Sequence, residues 1–88
     1  MESAKRAILA QATIDFGQIA AGATDEETMT VPQAREGSVV SVSAPDLEAG
    51  LVATGYVSSE SEVTIRVANV TGGAVDPAEQ TFYVAVTY

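Results

Sequence analysis

Cysteine, histidine and tryptophan are all absent from this 88-residue chain. Without cysteine there is no disulfide, and without cysteine or histidine a zinc or haem centre lacks its usual ligands. The missing histidine also removes the commonest general base. No Gly-x-Ser-x-Gly or Ser-x-x-Lys run places any serine in a nucleophile's setting. Gly72-Gly73 is not followed by the Gly-Lys-Ser/Thr of a phosphate-binding loop. Positive charge is scarce too: four Lys and Arg against twelve Asp and Glu give a net charge of −8. Such a chain repels phosphate backbones and anionic headgroups, which argues against nucleic-acid and membrane partners. No apolar run nears the ~20 residues of a helical membrane span. Ala7-Ile8-Leu9-Ala10, behind Lys5 and Arg6, is shorter than the ~7–15-residue core of a signal peptide, so synthesis in the cytoplasm is expected. These absences point away from an enzyme and away from any cofactor, towards a scaffold that works by contact.

What is present is alternation. Val63, Ile65 and Val67 share one face of Glu62–Asn69, with Thr64, Arg66 and Ala68 on the other. Phe82, Val84 and Val86 repeat the arrangement against Tyr83, Ala85 and Thr87. Side chains of a strand point to opposite faces in turn, so each run predicts a half-buried strand. Weaker alternation marks Thr13–Phe16, the Thr28–Val31 stretch ended by Pro32, Ser38–Ala44, and Leu51–Ser58. In the last of these, Gly55 signals a bulge or a close approach of another backbone. Pro45–Gly50 reads as a bend with room for one helical turn, and Ser58–Ser61 as a hairpin loop. Turn residues recurring every ~8–12 positions predict an all-β domain of six or seven strands, an antiparallel β-sandwich or small barrel. Residues 13–88 form that domain. Residues 1–12 read as an N-terminal arm or a first strand, since Ala7–Ala10 is apolar without a clear period.

A domain this small buries only ~60–65% of its unfolded surface, and small domains compensate with disulfides, metals or oligomerisation. Here oligomerisation is the remedy left open, beside a self-sufficient monomer. Candidate contact residues follow from that. Lys5, Arg6, Ile8 and Leu9 make a basic–apolar arm on an otherwise acidic chain, able to lie across a neighbour or to add a strand to an open edge. Tyr56, Tyr83 and Tyr88 combine an apolar ring with a polar tip, the combination favoured at interfaces. Against these stand the simpler readings: Ala7–Gln11 is the first strand of its own sandwich, and a lone tyrosine packs on its cross-strand neighbours. Asp25-Glu26-Glu27 suggests calcium only superficially, because three successive strand residues do not face one point; an acidic edge that discourages wrong pairing is the plainer reading. Asp46 with Glu48, and Glu60 with Glu62, have the composition of a glycosidase pair but no cleft to work in. Asn69-Val70-Thr71 matches a glycosylation sequon and reads as a strand end.

From Ile14 onward an ordered series of segments resembles a family of short bacteriophage virion proteins. The series opens with Ile14-Asp15-Phe16-Gly17-Gln18-Ile19-Ala20-Ala21-Gly22. Met29-Thr30-Val31-Pro32, Gly37-Ser38-Val39-Val40, Leu47-Glu48-Ala49-Gly50-Leu51 and Tyr56-Val57-Ser58 follow. Val63–Thr71, Val75-Asp76-Pro77-Ala78 and Thr81-Phe82-Tyr83-Val84 complete it. The resemblance implies a β-sandwich, a homotrimer, and a place on the capsid exterior as a decoration (cement) protein bound to the major capsid protein. A tail or fibre component, or a host-surface binding module, is the alternative it carries. Residues 1–11 depart from the recurring pattern, so the resemblance implies no role for them.

Overall fold

The computed structural model describes residues 7–88, in which six strands and the loops between them pack into two layers. The strands are β1 (Ala7–Ile14), β2 (Thr24–Thr30), β3 (Val39–Ser43), β4 (Leu51–Ser59), β5 (Glu62–Asn69) and β6 (Gln80–Thr87). One antiparallel sheet has the order β1-β6-β3 and the other β2-β5-β4. The molecule is a small β-sandwich. The first strand runs through position 12 to Ile14, so residues 7–12 belong to the first sheet rather than to a separate arm. Lys5 and Arg6 lie outside the described residues.

The two strongest alternating runs became the two central strands. Val63, Ile65 and Val67 of β5 are fully buried, as are Phe82 and Val86 of β6, with Val84 nearly so. Burying a side chain of this size contributes roughly 1.5–3 kcal/mol, so these six residues supply a large share of the core's stability. Phe16, just past β1, stands edge-on to Phe82 with ring centroids 5.5 Å apart and planes at 67°. Val31 and Ala34, both at 0% exposure, cap the end of the core beside the β4–β5 turn. There Val31 N–H donates to the Ser61 carbonyl at 2.9 Å, and Ser61 N–H to the Ala34 carbonyl at 2.9 Å.

Among the described residues only the β4–β5 connection is a hairpin within one sheet, and each other link between strands crosses to the opposite layer. Its turn is Glu60–Ser61, two residues rather than the four the sequence suggested, with Ser61 in the left-handed region (φ 62°). The register slips between Val57 and Ser59, which places the bulge there and not at Gly55. At Gly55 what comes close is a pair of side chains and not another backbone. A Cβ on it would stand 2.8 Å from Val42 Cγ2 and 3.0 Å from Val40 Cγ1, so β3 rests directly on β4 at this point. Pro45–Gly50 contains turns and no helix: Leu47 N–H bonds the Ala44 carbonyl at 3.1 Å and Leu51 N–H the Glu48 carbonyl at 3.2 Å.

Asn69 closes the far end of the core. Its Nδ2 donates to the carbonyls of Ile19 and Gly73, both at 2.9 Å, and its Oδ1 accepts from Thr71 N–H at 2.9 Å and from Thr71 Oγ1 at 2.7 Å. One buried amide thus satisfies the loops before β2 and after β5, and the Ile19–Val75 bridge completes the junction. The sequon residue is 1% exposed, held inside as an internal tie.

Candidate interaction surface

The inward side chains of the β1-β6-β3 sheet are Ile8, Ala10, Ala12 and Ile14, then Phe82, Val84 and Val86, then Val40 and Val42. The alternate positions therefore form the outer face, and the pairing sets them in rows. Ala7, Thr87 and Val39 make one row; Leu9, Ala85 and Ser41 the next; Gln11, Tyr83 and Ser43 the third; Thr13 and Thr81 the last. No residue in these rows carries a charge, on a chain whose net charge is −8. Leu9 is 79% exposed, Val39 66% and Tyr83 42%. A shallow concavity of about 710 Å³ lies between Leu9, Tyr83 and Ser41, where the small Ala85 leaves the centre of the sheet low.

The opposite outer face, on β2-β5-β4, has a different chemistry. Glu26 on β2 pairs with Arg66 directly across on β5, and the guanidinium also lies 5.4 Å from the Tyr56 ring on β4. The Glu26 carboxylate, through hydrogen bond and charge, raises the Arg66 pKa above its ordinary value. Thr64, flanked by Thr28 and Tyr56, is buried on this outer face. Thr64 Oγ1 donates to Ser58 Oγ at 2.7 Å, which donates to Glu62 Oε1 at 2.8 Å, while Ser59 Oγ donates to the same oxygen at 3.2 Å. This face carries charge and a hydrogen-bonded hydroxyl cluster, with Val52 and Tyr56 exposed beside them.

The sequence-derived contact residues consequently do not converge. Leu9 and Tyr83 are diagonal neighbours on the uncharged face. Ile8 points inward from β1, half-buried opposite Val86. Tyr56 belongs to the other sheet, and Tyr88 sits at the end of the sandwich with Arg35 4.6 Å over its ring. The acidic candidates are dispersed as well. Asp25 and Glu27 share the side of β2 that carries Met29, whereas Glu26 turns to Arg66. Glu62 is engaged by the two serines, and Glu48 accepts from Ala78 N–H at 2.8 Å and from Gln80 Nε2 at 3.2 Å. The bond from Ala78 is the main reason the Glu48 carboxyl is held below its ordinary pKa of 4.5. Among the described residues no three Asp, Glu, His or Cys side chains are placed to hold a metal ion.

Sequence reasoning missed Val39, Gln11, Ser41, Ser43 and Ala85 as parts of one surface. The signal was their shared lack of charge, which becomes visible only once β1 and β3 are known to flank β6. No family model matches the chain, and no curated protein or solved structure does.

Proposed function

We propose that this protein is a structural component of a bacteriophage virion, a capsid decoration protein that stabilises the shell from outside through non-covalent contacts. The single observation that supports a contact role is the uncharged outer face of the β1-β6-β3 sheet, with Leu9, Val39 and Tyr83 exposed on it. An acidic protein that leaves one whole sheet face without charge presents a surface that desolvates at low electrostatic cost. The virion setting rests on the resemblance running from Ile14 to Val84, which implies a homotrimer made in the host cytoplasm and seated on the major capsid protein. Many weak contacts repeated over a shell act together, so a modest contribution per copy suffices.

The test is fractionation of phage particles that carry this gene, with heads and tails separated and the protein followed by mass spectrometry. The expected result is recovery with heads, and loss of head stability to heat or chelation when the gene is deleted. Recovery with tails supports the tail or fibre component instead. Absence from both fractions overturns the virion role.

A further inference from the structure

We propose that the outer edge of β1 is a self-association site, at which two copies pair their first strands antiparallel about a two-fold axis through Gln11. This contact between copies puts a two-fold order in place of the threefold one that the resemblance implies, and it stands whether or not the protein works on a virion.

A sandwich of two three-stranded sheets has four edges, and each presents unpaired backbone N–H and C=O groups that invite another strand. Three of the four are guarded. On β2 the guard is Asp25-Glu26-Glu27, which would face a like run in a second copy. The β4 edge carries Gly55 in its middle and ends in the bulge between Val57 and Ser59. The β3 edge is only five residues long, on a strand whose Val40 and Val42 are pressed onto Gly55 of the opposite sheet. By contrast β1 is eight residues long, in unbroken register with β6, and holds no charge, proline, glycine or bulge. Among the described residues nothing pairs with its outer side.

Charge selects the occupant. A basic partner would be drawn to the acidic loops and the β2 edge, not to an uncharged strand. A strip without carboxylates on a chain of −8 instead suits a partner that is equally acidic, because the pair meets there without opposing like charges. The partner that satisfies this by construction is a second copy. Two identical edges meeting in an isologous contact close after two subunits. A threefold ring, the order the family resemblance implies, would have to join β1 to a different edge of the next copy, and each of those is guarded.

The pleat then restricts the register. Residues directly opposite must point to the same face, so the axis passes through a residue, Ala10 or Gln11, and not between two residues. Centring on Gln11 sets Ile8 opposite Ile14 of the second copy on the inner side, and Leu9 opposite Thr13 on the outer side. Centring on Ala10 would give Ile8 only an alanine, Ala12. The Gln11 register therefore covers the half-buried Ile8 better, and yields one six-stranded sheet whose uncharged outer face is continuous across both copies.

Because the chain has no native cysteine, single-cysteine variants report this contact cleanly. In the full-length protein, Gln11→Cys should oxidise in air to a covalent dimer, while Thr54→Cys, on the outer face of the other sheet, should not. Light scattering of the unmodified protein should give about twice the 9.0 kDa chain mass at high concentration, returning to one on dilution. Gln11→Lys, which sets two ammonium groups face to face, should weaken the dimer about tenfold or more with an unchanged circular dichroism spectrum. A monomer at every concentration overturns the proposal, as does a three-copy mass or a dimer indifferent to Gln11→Lys. Equal cross-linking at Thr54→Cys overturns it too. The virion fractionation reads location and this experiment reads self-contact, so failure of one leaves the other standing.

Discussion

At Gly55 the valines of β3 pack against the backbone of β4, and the missing side chain makes room for them. A methyl group there would meet Val42 Cγ2 at 2.8 Å and Val40 Cγ1 at 3.0 Å, so β3 would have to lift off β4. Overpacking of this kind costs roughly 1–3 kcal/mol. Gly55→Ala should lower the free energy of unfolding by that amount in urea titration. Pairing it with Val42→Ala should recover part of the loss, because the smaller residue vacates the space. Additive losses would show that the approach of β3 is not limited by these methyls. Glu48 is a second single-residue control, acting through hydrogen bonds instead of volume. Its carboxylate ties the β3–β4 loop to Ala78 and Gln80, and its pKa is lowered in the folded state. A depressed folded pKa stabilises above the unfolded value and is lost as pH falls through the folded one. The melting temperature of the native protein should therefore exceed that of Glu48→Gln at pH 7. The gap should close as pH drops below the ordinary carboxyl value of 4.5. A gap that is constant with pH would refute the tie.

At the scale of elements, the strands divide by what their outward faces do. On β5 and β6 the inward residues are large and the outward ones mostly small or polar, so alternation was plain in the sequence. On β1 the outward Leu9 lies beside the inward Ile8, and on β3 Val39 lies beside Val40. An apolar outer face erases the contrast that marks a strand, which is why Ala7–Ala10 had no readable period. The ambiguity was itself a trace of the uncharged surface. The acidic run on β2 shows the reverse strategy, a strand kept single by repulsion. Asp25→Thr combined with Glu27→Thr removes two of those charges and leaves the Glu26–Arg66 pair in place. The double variant should scatter more light on heating than the native protein, with a thermal midpoint that does not fall. No added scattering would mean the triplet does not guard the edge.

For the whole molecule, the balance is between the uncharged face of the β1-β6-β3 sheet and a net charge of −8. Repulsion between acidic copies opposes any association, and salt screens it: the Debye length falls from ~30 Å at 0.01 M to ~8 Å at 0.15 M. Self-association should therefore strengthen with added salt, the opposite of a contact built from ion pairs. Sedimentation equilibrium at the two salt concentrations would check this, and weaker association at high salt would contradict an uncharged interface. The crossing connections have a kinetic counterpart. With all links but the β4–β5 hairpin passing between layers, most native contacts are distant in sequence, which places folding in the slow, millisecond-to-second range of β-sandwiches.

The sequence by itself determined the class of structure. Alternation in Glu62–Asn69 and Thr81–Thr87, punctuated by Gly and Pro, dictates strands, and the absence of cysteine excludes disulfides between them. It also determined the charge, and with it the partners that are disfavoured. These are local or summed properties, which any residue expresses without reference to distant ones. Which strands lie side by side was decided only in the tertiary structure, because β1 and β6 meet across the length of the chain and β3 joins them from between. That pairing gathers Leu9, Tyr83, Val39 and Ser41, far apart in sequence, into one uncharged face. It also leaves β1 at an open edge. A surface is a property of neighbours, and here the neighbours are made by long-range hydrogen bonding between strands.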